Sequence, residues 1–147
     1  MRILGLDYGE KRIGVALSDE LGLTAQPLMT LQRKSRRRDL EDLAQIIRTH
    51  GVERIVVGYP LRLDGSEGIQ CEKVQRFITS LESAFGVPVV RRDETLSTRQ
   101  AEEILAEAGV RREKRRELVD RIAAGLILQG YLDALRTEKA GNPESES

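Results

Sequence analysis

The chain has 147 residues, 24 Lys and Arg against 24 Asp and Glu, and 39% apolar residues. That length suits one domain with a proper core. Balanced charge and ample apolar content exclude a disordered chain, and net charge gives no pull toward nucleic acid. The run Ile122 to Leu128 is far too short to cross a bilayer, so no membrane partner is expected. Asp7 comes too early for a signal peptide, and the single Cys71 excludes an internal disulfide framework; both fit a reducing cytoplasm.

In chain order, Arg2–Asp7 and Arg12–Ser18 are short Ile/Val/Leu-rich strands around "YGEK", a tight hairpin turn. Leu23–Gln32 is a third strand, which Pro27 confines to an edge. Leu40, Leu43, Ala44 and Ile47 recur at helical spacing, with Asp39 as N-cap and Gly51 as the stop. "RIVVGY", Arg54–Tyr59, reads as a strand buried on both faces. A helix with Val74, Phe77, Ile78, Leu81 and Phe85 on one stripe follows, closed by Gly86. "VPVVRRDE", Val87–Glu94, is the last strand. Ser97 and Gln100 form a capping box for a helix ending at Gly109, and a final helix spans about Lys114 to Thr137. The order β-β-β-α-β-α-β-α-α implies an antiparallel meander followed by parallel crossovers: an α/β fold with a mixed five-stranded sheet and helices on both faces. Residues 1–137 are expected to form the domain and 138–147 a flexible tail.

Three acidic positions stand out. Asp7 ends the first strand, Asp93 and Glu94 end the last, and Asp120 opens the almost wholly apolar stretch "RIAAGLILQ". Ligands of α/β sheets sit beyond the carboxyl ends of the parallel strands. The first and last strands are expected side by side there, with Ala123, Ala124 and Gly125 letting the final helix press close enough to bring Asp120 in. Converging carboxylates repel unless a cation sits between them. Hard oxygen ligands without Cys or His select Mg²⁺ or Mn²⁺, which serve phosphodiester hydrolysis. Singly, each acid also has a structural reading. Asp7 could cap the hairpin, Asp93 or Glu94 could pair with Arg91 or Arg92, and Asp120 could favour a helix N-terminus.

Composition removes competitors. The one histidine, His50, sits at a helix end where a cation suits the dipole, so a His-dependent ribonuclease or a Ser-His-Asp triad lacks its base. Lys11 and Arg12 after the turn could contact substrate phosphate. In "VVGYPLRLDGSEG" a strand opens into a loop with an Asp-Gly turn, and Ser66 is read as a helix start whose amides could hold a phosphate. Five basic residues between Arg33 and Arg38, and five between Arg111 and Arg116, are solvated surface or a phosphate-facing rim.

The set "GLDYGEKRIGVAL", "VVGYPLRLDGSEG", "RRDETLST" and "VDRIAAGLILQGYL" resembles the bacterial YqgF (RuvX) family, in order and spacing, over about residues 1 to 135. The resemblance implies a ribonuclease H-like fold. It implies a nuclease acting on precursor 16S rRNA in ribosome biogenesis or, alternatively, a Holliday-junction resolvase. The family's first-strand Asp falls on Asp7, its Asp-Glu pair on Asp93 and Glu94, and its final-helix Asp on Asp120. Asp7, Glu94 and Asp120 are then the catalytic metal ligands with Asp93 in support, although the sequence leaves open which of the pair turns inward. Lys11, Arg12, Arg62, Ser66 and Arg99 are the implied substrate contacts. Two departures are visible: Thr95 stands where the family often has Arg, and Arg62 where it often has a small polar residue.

The implied partner is structured RNA or a DNA junction, and a junction substrate would require a homodimer with two sites. Two further readings compete: a nucleic-acid-binding module without catalysis, and a nucleotide-binding hairpin like that of the actin, heat-shock chaperone and sugar-kinase ATPases. The latter clamp nucleotide between two such domains, and this chain has room for one.

Overall fold

The computed structural model describes residues 1–94 and 97–141. Strands β1 (Arg2–Tyr8), β2 (Arg12–Ser18) and β3 (Ala25–Gln32) precede helix α1 (Arg36–His50) and strand β4 (Val52–Pro60). Helix α2 (Ile69–Ala84), strand β5 (Val89–Glu94), and helices α3 (Ser97–Glu107) and α4 (Arg112–Gly141) follow. Among the described residues the strands form one sheet in the order β3-β2-β1-β4-β5. The β1-β2-β3 meander is antiparallel, and β1 and β5 run parallel to β4. Thr95 and residues 142–147 of the expected tail lie outside the described residues.

The sheet separates two cores. Leu4, Leu6, Ile13, Val15, Ile55 and Val57 pack against Leu43 of α1 and Val74, Phe77 and Leu81 of α2. On the other face Ile3, Ala16 and Val56 meet Ala124, Ile127, Leu128 and Leu132 of α4. A smaller cluster of Ala101, Leu105, Val119 and Ala123 fixes α3 onto α4.

Several expectations are corrected. The first and last strands are not neighbours, because β4 lies between them. The N-cap of α1 is Ser35, whose side chain accepts from the Arg38 amide. Asp39 turns inward instead, accepting from the Lys34 amide at 2.9 Å and facing Arg33 Nε at 3.8 Å. Helix α2 closes on Phe85 in extended backbone, one residue before Gly86. Ser97 is the first residue of α3, and its Oγ has no hydrogen-bond partner among the described residues, so it makes no capping bond. Helix α4 begins at Arg112, so Asp120 sits two turns inside it. Interaction with a helix N-terminus therefore does not account for Asp120, since that effect fades within the first turn.

Candidate active site

Strand alternation decides which side chains meet. On β1, Ile3, Gly5 and Asp7 face α4, while Leu4, Leu6 and Tyr8 face α1 and α2. On β5, Glu94 and Arg92 turn to the α4 side. Arg92 lies against Gly130, with its Nε 3.9 Å from Glu94 Oε2. Asp93 and Arg91 turn to the opposite side, paired at 3.3 Å, with the Arg91 guanidinium 3.9 Å above the Tyr59 ring. Glu94 thus shares a face with Asp7, and Asp93 does not.

Asp120 is brought in by backbone contact. Gly14 is the register partner of Asp7 across the hairpin. A Cβ on Gly14 would collide with the carbonyl of Asp120. One strand over, a Cβ on Gly5 would stand 2.7 Å from Leu128 Cβ and 3.1 Å from the Ala124 carbonyl oxygen. On β4 a Cβ on Gly58 would strike Ile127. A track of missing side chains across β2, β1 and β4 therefore lets α4 lie directly on the sheet. Of the small residues of α4, Ala124 packs on the sheet and Gly125 lies over Pro27 of β3, whereas Ala123 faces α3.

A cleft of about 560 Å³ opens between this face, α3 and α4; Asp7, Gly58, Glu94, Ser97, Glu102 and Asp120 are among its lining residues. Arg12 Nε donates to Asp120 Oδ2 at 2.8 Å. Burial, and then the neighbouring Asp120 carboxylate, push the Asp7 carboxyl up to about 7. Among the described residues no three His, Cys, Asp or Glu side chains stand close enough to hold an ion. Two features explain the gap. β4 separates Asp7 from Glu94 by two strand spacings, roughly 10 Å, and Arg12 holds Asp120.

The hairpin carrying Asp7 is clasped from behind. Arg33 Nη1 donates to the carbonyls of Gly9 and Glu10 at 3.0 and 2.9 Å. Its guanidinium lies 4.4 Å from the Tyr8 ring centre, and Tyr8 stacks on Phe77 at 4.0 Å. Gly9 is needed for close approach, since a Cβ there would stand 2.8 Å from the Arg12 carbonyl oxygen.

The expected phosphate contacts divide. Arg12 and Arg99 reach the site, Arg12 through Asp120 and Arg99 on the cleft wall, 3.5 Å from Glu103. Lys11 lies over a separate depression with Arg33, Lys34 and Asp39. Ser66 does not start a helix: α2 is capped at Gly68, and Ser66 Oγ donates to Asp64 Oδ1 at 2.6 Å within the loop. Arg62 folds back against Gly68, whose Cβ would stand 2.9 Å from Arg62 Nε. Neither Lys11, Arg62 nor Ser66 lines the acidic cleft. The sequence reading missed Gln70, Thr98 and Glu102 on its walls. Thr98 and Glu102 were within reach, being four residues apart on a helix that begins beside Glu94.

A mixed sheet whose first strand runs antiparallel to one neighbour and parallel to the other, with acids from two strands and a helix facing one cleft, defines a ribonuclease H-like protein. The chain belongs to the RuvX family: the family model, described as "RuvX: Holliday junction resolvase", matches residues 1–134. A relative from Syntrophus aciditrophicus (strain SB), named "Putative pre-16S rRNA nuclease", is 68% identical over 139 residues, covering 95% of this chain and 93% of the relative. One of the same name from Symbiobacterium thermophilum is 52% identical over 145 residues, covering 99% of each chain. Among solved structures, T. thermophilus RuvC in complex with Holliday junction substrate aligns with a TM-score of 0.56 at 16% identity, over 92% of this chain and 96% of that one. The Fowlpox virus resolvase bound to Holliday junction DNA gives 0.57 at 14% identity, over 92% and 99%. These two likenesses carry the fold. No described helix is long and apolar enough to cross a membrane.

Proposed function

We propose that this chain is a metal-dependent nuclease that hydrolyses phosphodiester bonds, with Asp7, Glu94 and Asp120 as metal ligands and precursor 16S rRNA, near its 5′ end, as substrate. The single observation behind the site assignment is that β1, β5 and α4 each turn one carboxylate into the same cleft. The substrate assignment rests on the relatives' shared name.

In chemistry, being all carboxylate oxygen, the donor set suits a hard divalent cation, which would have to displace Arg12 from Asp120 and draw Glu94 toward Asp7. Burial and the neighbouring Asp120 carboxylate hold the Asp7 carboxyl above its ordinary value, and a cation beside it would favour the ionised form. A bound cation supplies the positive charge that lowers the pKa of water and stabilises the departing oxygen. The chain's own residues do the remainder. Gly58 lets Ile127 of α4 settle onto the cleft floor beside Asp7, and Arg12 neutralises Asp120. Arg12 is then placed to exchange Asp120 for a substrate phosphate. Asp93, on the opposite sheet face, supports the strand end through Arg91 rather than ligating.

The test is cleavage of a labelled precursor 16S rRNA 5′ segment and of a mobile DNA four-way junction, by wild type and Asp7→Asn, with Mg²⁺, Mn²⁺ or EDTA. Metal-dependent cutting of the RNA that Asp7→Asn abolishes is the expected result. Cutting of the junction alone would favour the second reading, resolvase activity, which the family description motivates. Cutting of neither substrate would defeat the nuclease assignment.

A further inference from the structure

A second depression of about 630 Å³ adjoins the acidic cleft, lined by Arg12, Glu102, Arg112, Arg115, Arg116 and Val119. The two share Glu102, and the Arg12–Asp120 ion pair joins them, Arg12 lining one and Asp120 the other. They are parts of one trough divided by that pair. Arg112, Arg115 and Arg116 occupy one face of α4 at the i, i+3, i+4 spacing. Arg112, Arg116 and Asp120 follow one another at four-residue intervals, about 6 Å apart along the axis.

Arg112 and Arg116 are exposed, and Arg115 is half-buried. Arg115 Nε donates to the Val110 carbonyl at 2.8 Å, which fixes its guanidinium at the α3–α4 junction. The floor, Val119, belongs to the apolar cluster that locks α3 to α4. Arg112 and Arg116 form no salt bridge among the described residues, and Glu102 is the one acid in the lining. No aromatic side chain lines this part, so it offers no platform for stacking a base and suits phosphate alone.

We propose that the groove of Arg12, Arg112, Arg115 and Arg116 carries the sugar-phosphate backbone of the nucleic acid strand leaving the acidic cleft. This rests on the nuclease reading for its ligand class. It sets the Arg111–Arg116 run beside the acidic cleft, whereas the Arg33–Arg38 run, at the start of α1, lines a separate depression.

The experiment measures binding of a fluorescein-labelled RNA stem–loop in EDTA across a KCl series. Four proteins are compared: wild type, Arg112→Gln/Arg116→Gln, Glu102→Gln, and Arg36→Gln/Arg38→Gln as a control with the same change in charge. Each lost phosphate contact lowers the slope of log K against log salt by about 0.7–0.9. The groove variant is expected to lose ~1.5 in slope and roughly tenfold in affinity near 0.1 M salt, the control much less, and Glu102→Gln is expected to bind more tightly. Arg115 is left intact because it bridges α3 and α4, and thermal melts confirm that each variant folds. Equal losses in the groove variant and the control, an unchanged slope in the groove variant, or no RNA binding by wild type would overturn the proposal. The nuclease reading fails separately: wild type that binds with the groove signature but cuts nothing in Mg²⁺ refutes catalysis and leaves the groove standing.

Discussion

The carbonyl of Asp120 rests where a side chain on Gly14 would have to be, and Gly14 is the register partner of Asp7 across the hairpin. Two carboxylates far apart in sequence are thus set against each other by a backbone contact rather than by their own side chains. Gly14→Ala should lift α4 off β2. Because the obstacle is backbone and cannot rotate away, the expected loss is about 2–4 kcal/mol in urea unfolding, at or above the upper range for overpacking. Nuclease activity should fall even at temperatures where the variant remains folded.

Asp7 makes stability depend on pH. Its folded value of about 7 lies above the ordinary 3.8, so at intermediate pH the folded chain keeps a proton that the unfolded chain has released. In EDTA, stability should therefore decline as pH rises from about 4 to above 7. The full shift has a ceiling on the order of 4 kcal/mol, which solvent at the cleft mouth reduces to ~1–3. Asp7→Asn should be more stable than wild type at pH 8 and equal to it near pH 4. A variant less stable than wild type at pH 8 would contradict the burial of this charge.

With Asp120 as a metal ligand, as proposed, Arg12 and a divalent cation would compete for the same carboxylate. Arg12→Gln should bind Mn²⁺ more tightly than wild type, by several-fold in a thermal-shift titration. In EDTA it should lose ~1–2 kcal/mol, since it leaves Asp120 unpaired beside Asp7. Unchanged Mn²⁺ affinity would show that Asp120 takes no part in holding the ion.

The two acids ending β5 should behave oppositely. Glu94→Gln is expected to reduce cleavage by more than about 100-fold, whereas Asp93→Asn, which only loosens an exposed pair with Arg91, should stay within about threefold. Comparable losses in both would mean that the cleft takes its carboxylate from the other face.

Arg33→Ala tests the clasp behind the hairpin. It removes two hydrogen bonds to carbonyls and the stacking on Tyr8, and should cost about 2 kcal/mol. Hydrogen exchange should quicken at the Gly9 amide, whose bond to the Arg12 carbonyl closes the turn.

Much of this was legible in the sequence, because strands and helices announce themselves by local period. The hairpin, the Pro27 edge strand and the apolar stripe of α2 all read directly. Strand order did not, because nothing local to Asp7 or Glu94 says that β4 will lie between them. The glycine track was hidden for a related reason: Gly5, Gly14 and Gly58 in strands could each mark a bulge, a weak strand or a close approach. Only the docked α4 shows which. Ser35 was overlooked as a cap amid five basic residues, while Asp39, the stronger acid signal, was already committed to Arg33 and the Lys34 amide. The face of Glu94 was open for want of register, since a slip of one residue exchanges it with Asp93.

Arg12 and Asp120 are 108 positions apart. During synthesis the meander and Asp7 emerge early, yet the cleft has no wall and Asp120 does not exist until most of α4 has been made. On the proposed assignment, a nascent or truncated chain without α4 is expected not to cut, however well its sheet has formed. Appearance of activity during translation would time the docking of α4.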